Sequence, residues 1–164
     1  MAIITVDNFV NKYELTLTDF NTTQLTSYID RYETIALVEL FGVELYDLWV
    51  IGIGASDPIY TFLRDSFTVQ LSNGVILNSR GVSDMLTGIV YFYYSRDIMA
   101  QQSSNGVVEK KGENSENVSG YFANIQSRWD EAIETYNAIQ YYVSDNLDVY
   151  PTFEGHIKQT LPQF

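Results

Sequence analysis

Three long stretches of this chain read as helices, and in the first and third apolar residues recur at spacings of three and four, the period of a helix that buries one face. In the first, Leu25, Tyr28, Ile29, Tyr32, Ile35, Ala36, Leu40, Val43 and Leu45 fall on a stripe, while Asp30, Arg31, Glu33 and Thr34 fall mostly elsewhere. Asn21 followed by Gln24 is a variant of the capping box, so a long helix is predicted to begin there. It continues through Leu48, Trp49 and Val50 to the Gly52 and Gly54 pair. Gly42, which costs about 1 kcal/mol relative to Ala in a helix, marks a bend or a close approach inside it. The second stretch, from Val82 to Tyr94, is apolar on nearly every face and belongs in the middle of a core. The third places Phe122, Ile125, Trp129, Ile133, Tyr136, Ile139 and Val143 on one stripe, opposite Asn124, Asp130, Glu131 and Glu134.

Shorter signals fill the gaps. Ile3 to Val6 reads as extended, and Asp7 is placed to cap a brief helix carrying Phe9, Val10 and Tyr13, so residues 1–20 are expected to form an N-terminal arm with a short helix. Asp57-Pro58 restarts a helix, with Asp as N-cap and Pro where its missing donor is not needed. Phe67, Val69 and Leu71 alternate with polar residues, Asn73-Gly74 supplies a tight turn, and Val75, Ile76 and Leu77 return, which predicts a β-hairpin. Ser103 to Gly120 is rich in Gly, Asn and Ser, and residues 104–120 are read as a long mobile loop carrying Val107, Val108, Lys110 and Lys111. Residues 149–164 are extended and aromatic, a C-terminal tail expected to dock on something. The predicted fold is mainly α: one domain over 1–164, a bundle of three long helices plus short helices, a small β-hairpin, and extended N- and C-terminal arms. There is no internal repeat and no sustained heptad pattern.

Composition narrows the function. At 164 residues with 46% hydrophobic side chains, the chain is long enough for a sizeable core, and its 13 Tyr, 9 Phe and 2 Trp are unlike a disordered segment. Tyr suits half-buried positions and subunit contacts, because its ring is apolar and its hydroxyl tolerates water. The net charge of -12 opposes tight binding to a phosphate backbone, whose affinity comes from Lys and Arg displacing counterions. It equally disfavours anionic membranes. No run approaches the roughly 18 apolar residues of a membrane span, and Met1 to Val10 does not read as a secretion signal. The absence of cysteine removes disulfides, thiolate nucleophiles and cysteine-based zinc sites.

Catalytic patterns are scarce. The sole histidine, His156, lies in the predicted tail rather than in a pocket that a Ser-His-acid triad would need. Asp145, Asn146 and Asp148 resemble an acidic calcium loop only superficially, since the glycine and the later Glu are missing; a helix end with solvated charges is the plainer reading. Glu39 with Glu44, and Glu131 with Glu134, are placed on solvent faces of helices, where paired carboxylates are ordinary. No glycine-rich run ends in Lys-Ser or Lys-Thr. No cofactor or metal is expected, and the chain reads as a non-enzymatic structural protein. An all-helical enzyme using only carboxylates, with or without a metal, is the alternative from another class.

Several segments carry a resemblance. Tyr28-Ile29-Asp30-Arg31-Tyr32-Glu33, Leu40-Phe41-Gly42 with Glu44-Leu45-Tyr46, Ser79-Arg80-Gly81 with Asp84-Met85-Leu86, Tyr91 to Asp97, Tyr136 to Tyr142, and Tyr150 to Gly155 together resemble the small head-tail connector proteins of tailed bacteriophages. The likeness is to adaptor or head-completion proteins, particularly of phages of Bacteroidetes hosts, including crAss-like ones, and runs from about Asp7 to Lys158. It implies a virion protein assembled in the host cytoplasm as a homo-oligomeric ring, usually of twelve, beneath the portal protein at the head-tail interface. Such a ring extends the channel for the genomic DNA without gripping it, and receives the next ring or the tail. The resemblance also implies that the C-terminal segment meets the portal or a neighbour, which points to Tyr150, Pro151, Phe153, His156, Leu161 and Phe164. A loop contact at Val107, Val108, Lys110 and Lys111 is implied in the same way. Another virion assembly component, such as a stopper or tail-completion protein, is the close alternative.

Overall fold

The computed structural model describes residues 2–15, 21–103, 106–109 and 116–155. Within these the chain is mainly helical, as the hydrophobic period predicts. The elements are α1 (Thr22–Phe41), α2 (Val43–Gly54), α3 (Pro58–Arg64), β1 (Phe67–Gln70), β2 (Ile76–Ser79), α4 (Gly81–Met99), β3 (Ala100–Ser103), β4 (Gly106–Glu109) and α5 (Glu116–Asp145).

Local chemistry starts the helices where the residues say it should. Asn21 Oδ1 accepts from the Gln24 N–H at 3.0 Å to open α1, and Asp57 Oδ1 accepts from the Ile59 N–H at 3.0 Å with Pro58 in the first helical position of α3. Replacing Asp57 by Ala is expected to cost about 1 kcal/mol, the usual worth of an N-cap oxygen, read as a lower denaturant midpoint at unchanged slope.

The single long helix predicted from Asn21 to Gly52 is instead two. Gly42 takes a φ of +78° and ends α1, and α2 restarts at Val43. Its cause is distant in sequence: the chain returning after α5 crosses here, where the Glu154 N–H donates to the Phe41 carbonyl at 3.3 Å. A Cβ on residue 42 would stand 2.9 Å from Glu154 Cβ, so a side chain is excluded by backbone angle and by space together.

α4 is the buried helix. Val82, Met85, Leu86, Ile89, Val90, Tyr91, Phe92, Tyr94 and Ile98 are all enclosed, and α4 packs along both α5 and α1. Six of the seven stripe residues of α5 are buried as predicted, and Phe122 stays exposed. Between α1 and α4 tyrosines do the joining. Tyr32 and Tyr93 stack with centroids 4.1 Å apart, and Tyr28 meets Tyr94 edge-on while its hydroxyl donates to Asp97 at 2.8 Å. Burial first, then that hydrogen bond to a carboxylate, pushes the Tyr28 phenol up to about 12.

The Asn73-Gly74 hairpin forms in the predicted place, with Val69 opposite Leu77 and Phe67 opposite Ser79. Its tip is tied to the end of α5, because the Ser72 N–H donates to Asp145 at 2.7 Å and the Ser72 hydroxyl donates to the same carboxylate. Asp145, read as a solvated helix end, therefore fastens one element to another.

Three further expectations are corrected. The N-terminal segment, expected to be an arm with a brief helix capped by Asp7, forms no α-helix among the described residues. It forms two 3-10 turns, Val6–Asn8 and Asn11–Tyr13, and buries Ile4, Phe9 and Tyr13 against the bundle. Glu33, placed on the polar side of α1 by its spacing, is buried there and accepts from the Ile3 and Ile4 N–H groups at 3.0 and 3.1 Å. In the stretch read as a mobile loop, β4 pairs antiparallel with the preceding β3, Gln101 in register with Val108 and Gln102 with Val107, and α5 already begins at Glu116. Polar composition signals contact with water; it does not prevent backbone pairing, and the β-branched Val107 and Val108 favour a strand.

Candidate functional site

The residues assigned to the tail contact part company in the structure. Tyr150 belongs to the chain's own core: it is 2% exposed, packs against Tyr60 and Tyr142, and donates its hydroxyl to the Ile59 carbonyl at 3.0 Å. Burial raises its phenol well above the usual range. Pro151 is exposed, and Phe153 is half-buried against the core. Gln140 donates to the Leu40 carbonyl at 2.8 Å, and Gly155 lies so close to both that any side chain there would overlap them. The start of the tail is thus anchored across the α1–α2 junction. His156, Leu161 and Phe164 lie outside the described residues, as do Lys110 and Lys111, whereas Val107 and Val108 lie on β4.

Charged groups that the spacing left apart come together at the N-terminal end of α4. Asn11–Tyr13, the end of α3 and the start of α4 border an open cleft of about 710 Å³, whose charged lining is Lys12, Arg64, Asp65, Arg80 and Asp84. A second recess of about 360 Å³ runs on from it past Arg80 to Thr135. Behind the first cleft, Glu131 binds three cations: Lys12 Nζ at 3.1 Å, Arg80 Nη1 at 3.1 Å and Arg128 Nη1 at 2.6 Å. Lys12 also pairs with Asp84 at 3.1 Å, and the Tyr13 hydroxyl donates to Asp84 at 3.1 Å. Burial alone would raise the Glu131 carboxyl, yet the hydrogen bond from Lys12 and the three positive charges outweigh it and hold the group below its ordinary value.

A carboxylate kept ionised by three cations is a weak base, so this arrangement joins three segments of chain more readily than it abstracts protons. Because its folded pKa is depressed, its stabilising share is present above the ordinary Glu value of 4.5 and is lost as pH falls through the lower folded value. Glu131→Gln is expected to cost about 2 kcal/mol at neutral pH, the scale of hydrogen bonds to charged groups. Urea titrations of both proteins should show that difference shrinking as pH drops below 4.5; a gap independent of pH would contradict the role given to the charge.

The third feature is the outer face of α2. Glu44, Asp47, Leu48 and Ile51 stand at i, i+3, i+4 and i+7, with Val43 one turn before Asp47, and all are exposed. Ile51 is 69% exposed, Val43 60% and Leu48 43%, while Leu45, Trp49 and Ile53 fill the inner side. The helix contains no basic residue. Sequence spacing missed this face, because a helix apolar on most positions gives no sign of which ones turn outward.

Among the described residues, no group of three or more His, Cys, Asp or Glu side chains is arranged to hold a metal ion, and no helix is long and apolar enough to cross a membrane. Comparison of the chain with known protein families, with curated proteins and with solved structures gave no match.

Proposed function

We propose that this chain is a structural, non-enzymatic virion protein: a head-tail connector subunit that forms a ring beneath the portal, extends the DNA channel and joins the capsid to the tail. The observation that carries the protein-contact reading is the outer face of α2, where aliphatic side chains contiguous on one helix stand in solvent. Such a patch is what a partner chain covers. The connector assignment follows from the motif series that resembles phage connectors, and the charge supports it. A ring of acidic subunits repels phosphates, so DNA slides through it without being held.

Purified particles of the phage that encodes the chain should contain it in a portal-like copy number, measured by quantitative mass spectrometry; its absence from mature particles would overturn the proposal. Whether its density lies next to the portal or further along the axis distinguishes an adaptor from a stopper or tail-completion protein. Titration calorimetry with Mg, Mn and Ca addresses the enzymatic alternative, which a tight stoichiometric site would favour.

A further inference from the structure

We propose that copies of this chain join head to tail, the outer face of α2 on one copy seating against the Arg64–Arg80 cleft of the next. This rests on the reading of the chain as a self-packing subunit and adds the two surfaces that meet.

Charge decides the pairing. Two copies that each carry -12 repel one another over most of their surfaces, so attraction needs a place where the local sign is reversed. The cleft is such a place: with the groups behind it counted, four cations, Lys12, Arg64, Arg80 and Arg128, stand against three carboxylates, Asp65, Asp84 and Glu131. Arg64 and Arg80 are also reachable, with side chains 40% and 43% exposed. Arg80 uses Nη1 on Glu131, leaving Nε and Nη2 without a partner among the described residues. The α2 face is its complement: Glu44 and Asp47 supply the negative charge with no basic residue on the helix, and Leu48 and Ile51 supply apolar area. Val10, 53% exposed on the cleft lining, offers an apolar surface to receive them.

The two surfaces share no residue, so one copy presents both at once. Contact between unlike patches is heterologous, closing into a ring if the rotation per copy divides a full turn and otherwise running on as a filament.

Two charge-reversed proteins test this: Arg64→Glu with Arg80→Glu, which spoils the cleft, and Glu44→Lys with Asp47→Lys, which spoils the helix face. Circular dichroism melts establish that each is folded. If Arg80→Glu unsettles Glu131, Arg64→Glu alone serves, because its ion pair is with the adjacent Asp65. Light scattering coupled to gel filtration should show wild type assembling with concentration and dissociating with salt, and each variant weakened roughly 100-fold. An equimolar mixture of the two variants should regain assembly, since the intact helix face of one meets the intact cleft of the other and the two reversed surfaces are again opposite in charge. A wild type that stays monomeric at every concentration overturns the proposal, as would happen if the cleft serves a different acidic partner. Folded variants that assemble like wild type, or a mixture that does not regain assembly, also overturn it. The particle census is independent of these outcomes: virions that contain the chain, with variants that assemble unchanged, refute this contact and leave the connector reading intact.

Discussion

Trp129→Ala is expected to lower the unfolding free energy by about 3–5 kcal/mol, the cost of truncating a large core aromatic. Trp129 is 7% exposed on the inner stripe of α5, its ring centroid 4.6 Å from Phe92 and 5.8 Å from Tyr93 on α4. Its indole Nε1 is buried without a hydrogen-bond partner among the described residues, so the substitution removes packing and breaks no polar contact. The loss therefore comes from transferred surface and from the cavity left between the two most closely packed helices. Chemical denaturation should show the midpoint fall at unchanged slope. A midpoint equal to that of wild type would mean that α5 presents another face to α4.

Gly81→Ala should cost about 4 kcal/mol, from two sources that act together. Residue 81 has a φ of +83°, a left-handed conformation that costs a side-chain-bearing residue roughly 1–2 kcal/mol. The added Cβ would also overlap the backbone carbonyls of Arg64 and Asp65, which cannot swing aside as a side chain can, and forced overpacking adds about 1–3 kcal/mol. Gly81 is where β2 turns into α4 beneath the link between α3 and β1, so the strain falls on the wall of the charged cleft. Thermal melts would check it: a variant as stable as wild type would contradict the close approach of those two backbones.

What could be read from the residues alone was whatever depends on near neighbours. Asn21 with Gln24, Asp57 with Pro58, and Asn73 with Gly74 each carry their own local hydrogen bonds or backbone angles, and each forms where its chemistry predicts. The α5 stripe was legible because period and burial agree over several turns, and α4 because a helix apolar on nearly every face belongs inside a core. Features set by distant chain were not. Gly42 breaks a helix because Glu154 crosses it, and Glu33 is buried because the N-terminal backbone brings it two donors. Glu131 looked like one of two solvated carboxylates on a helix, yet Lys12 and Arg80 reach it from elsewhere in the chain. Tyr150 resembled a docking aromatic because the adjoining Pro151 and a short apolar run look the same whether the partner is another protein or Tyr60 and Tyr142 of its own fold. The outward face of α2 was hidden for the converse reason: Val43, Leu48 and Ile51 are as apolar as the residues that fill the core.

If, as we propose, this fold works by cohesion between polypeptides at the junction of head and tail, a neighbouring chain must cover α2 there. A reconstruction of the native virion tests it most directly. The account predicts a closed ring of this five-helix fold at that junction, with α2 covered by a neighbouring chain. A junction fully built from other folds, with this chain nowhere in the particle, would contradict it.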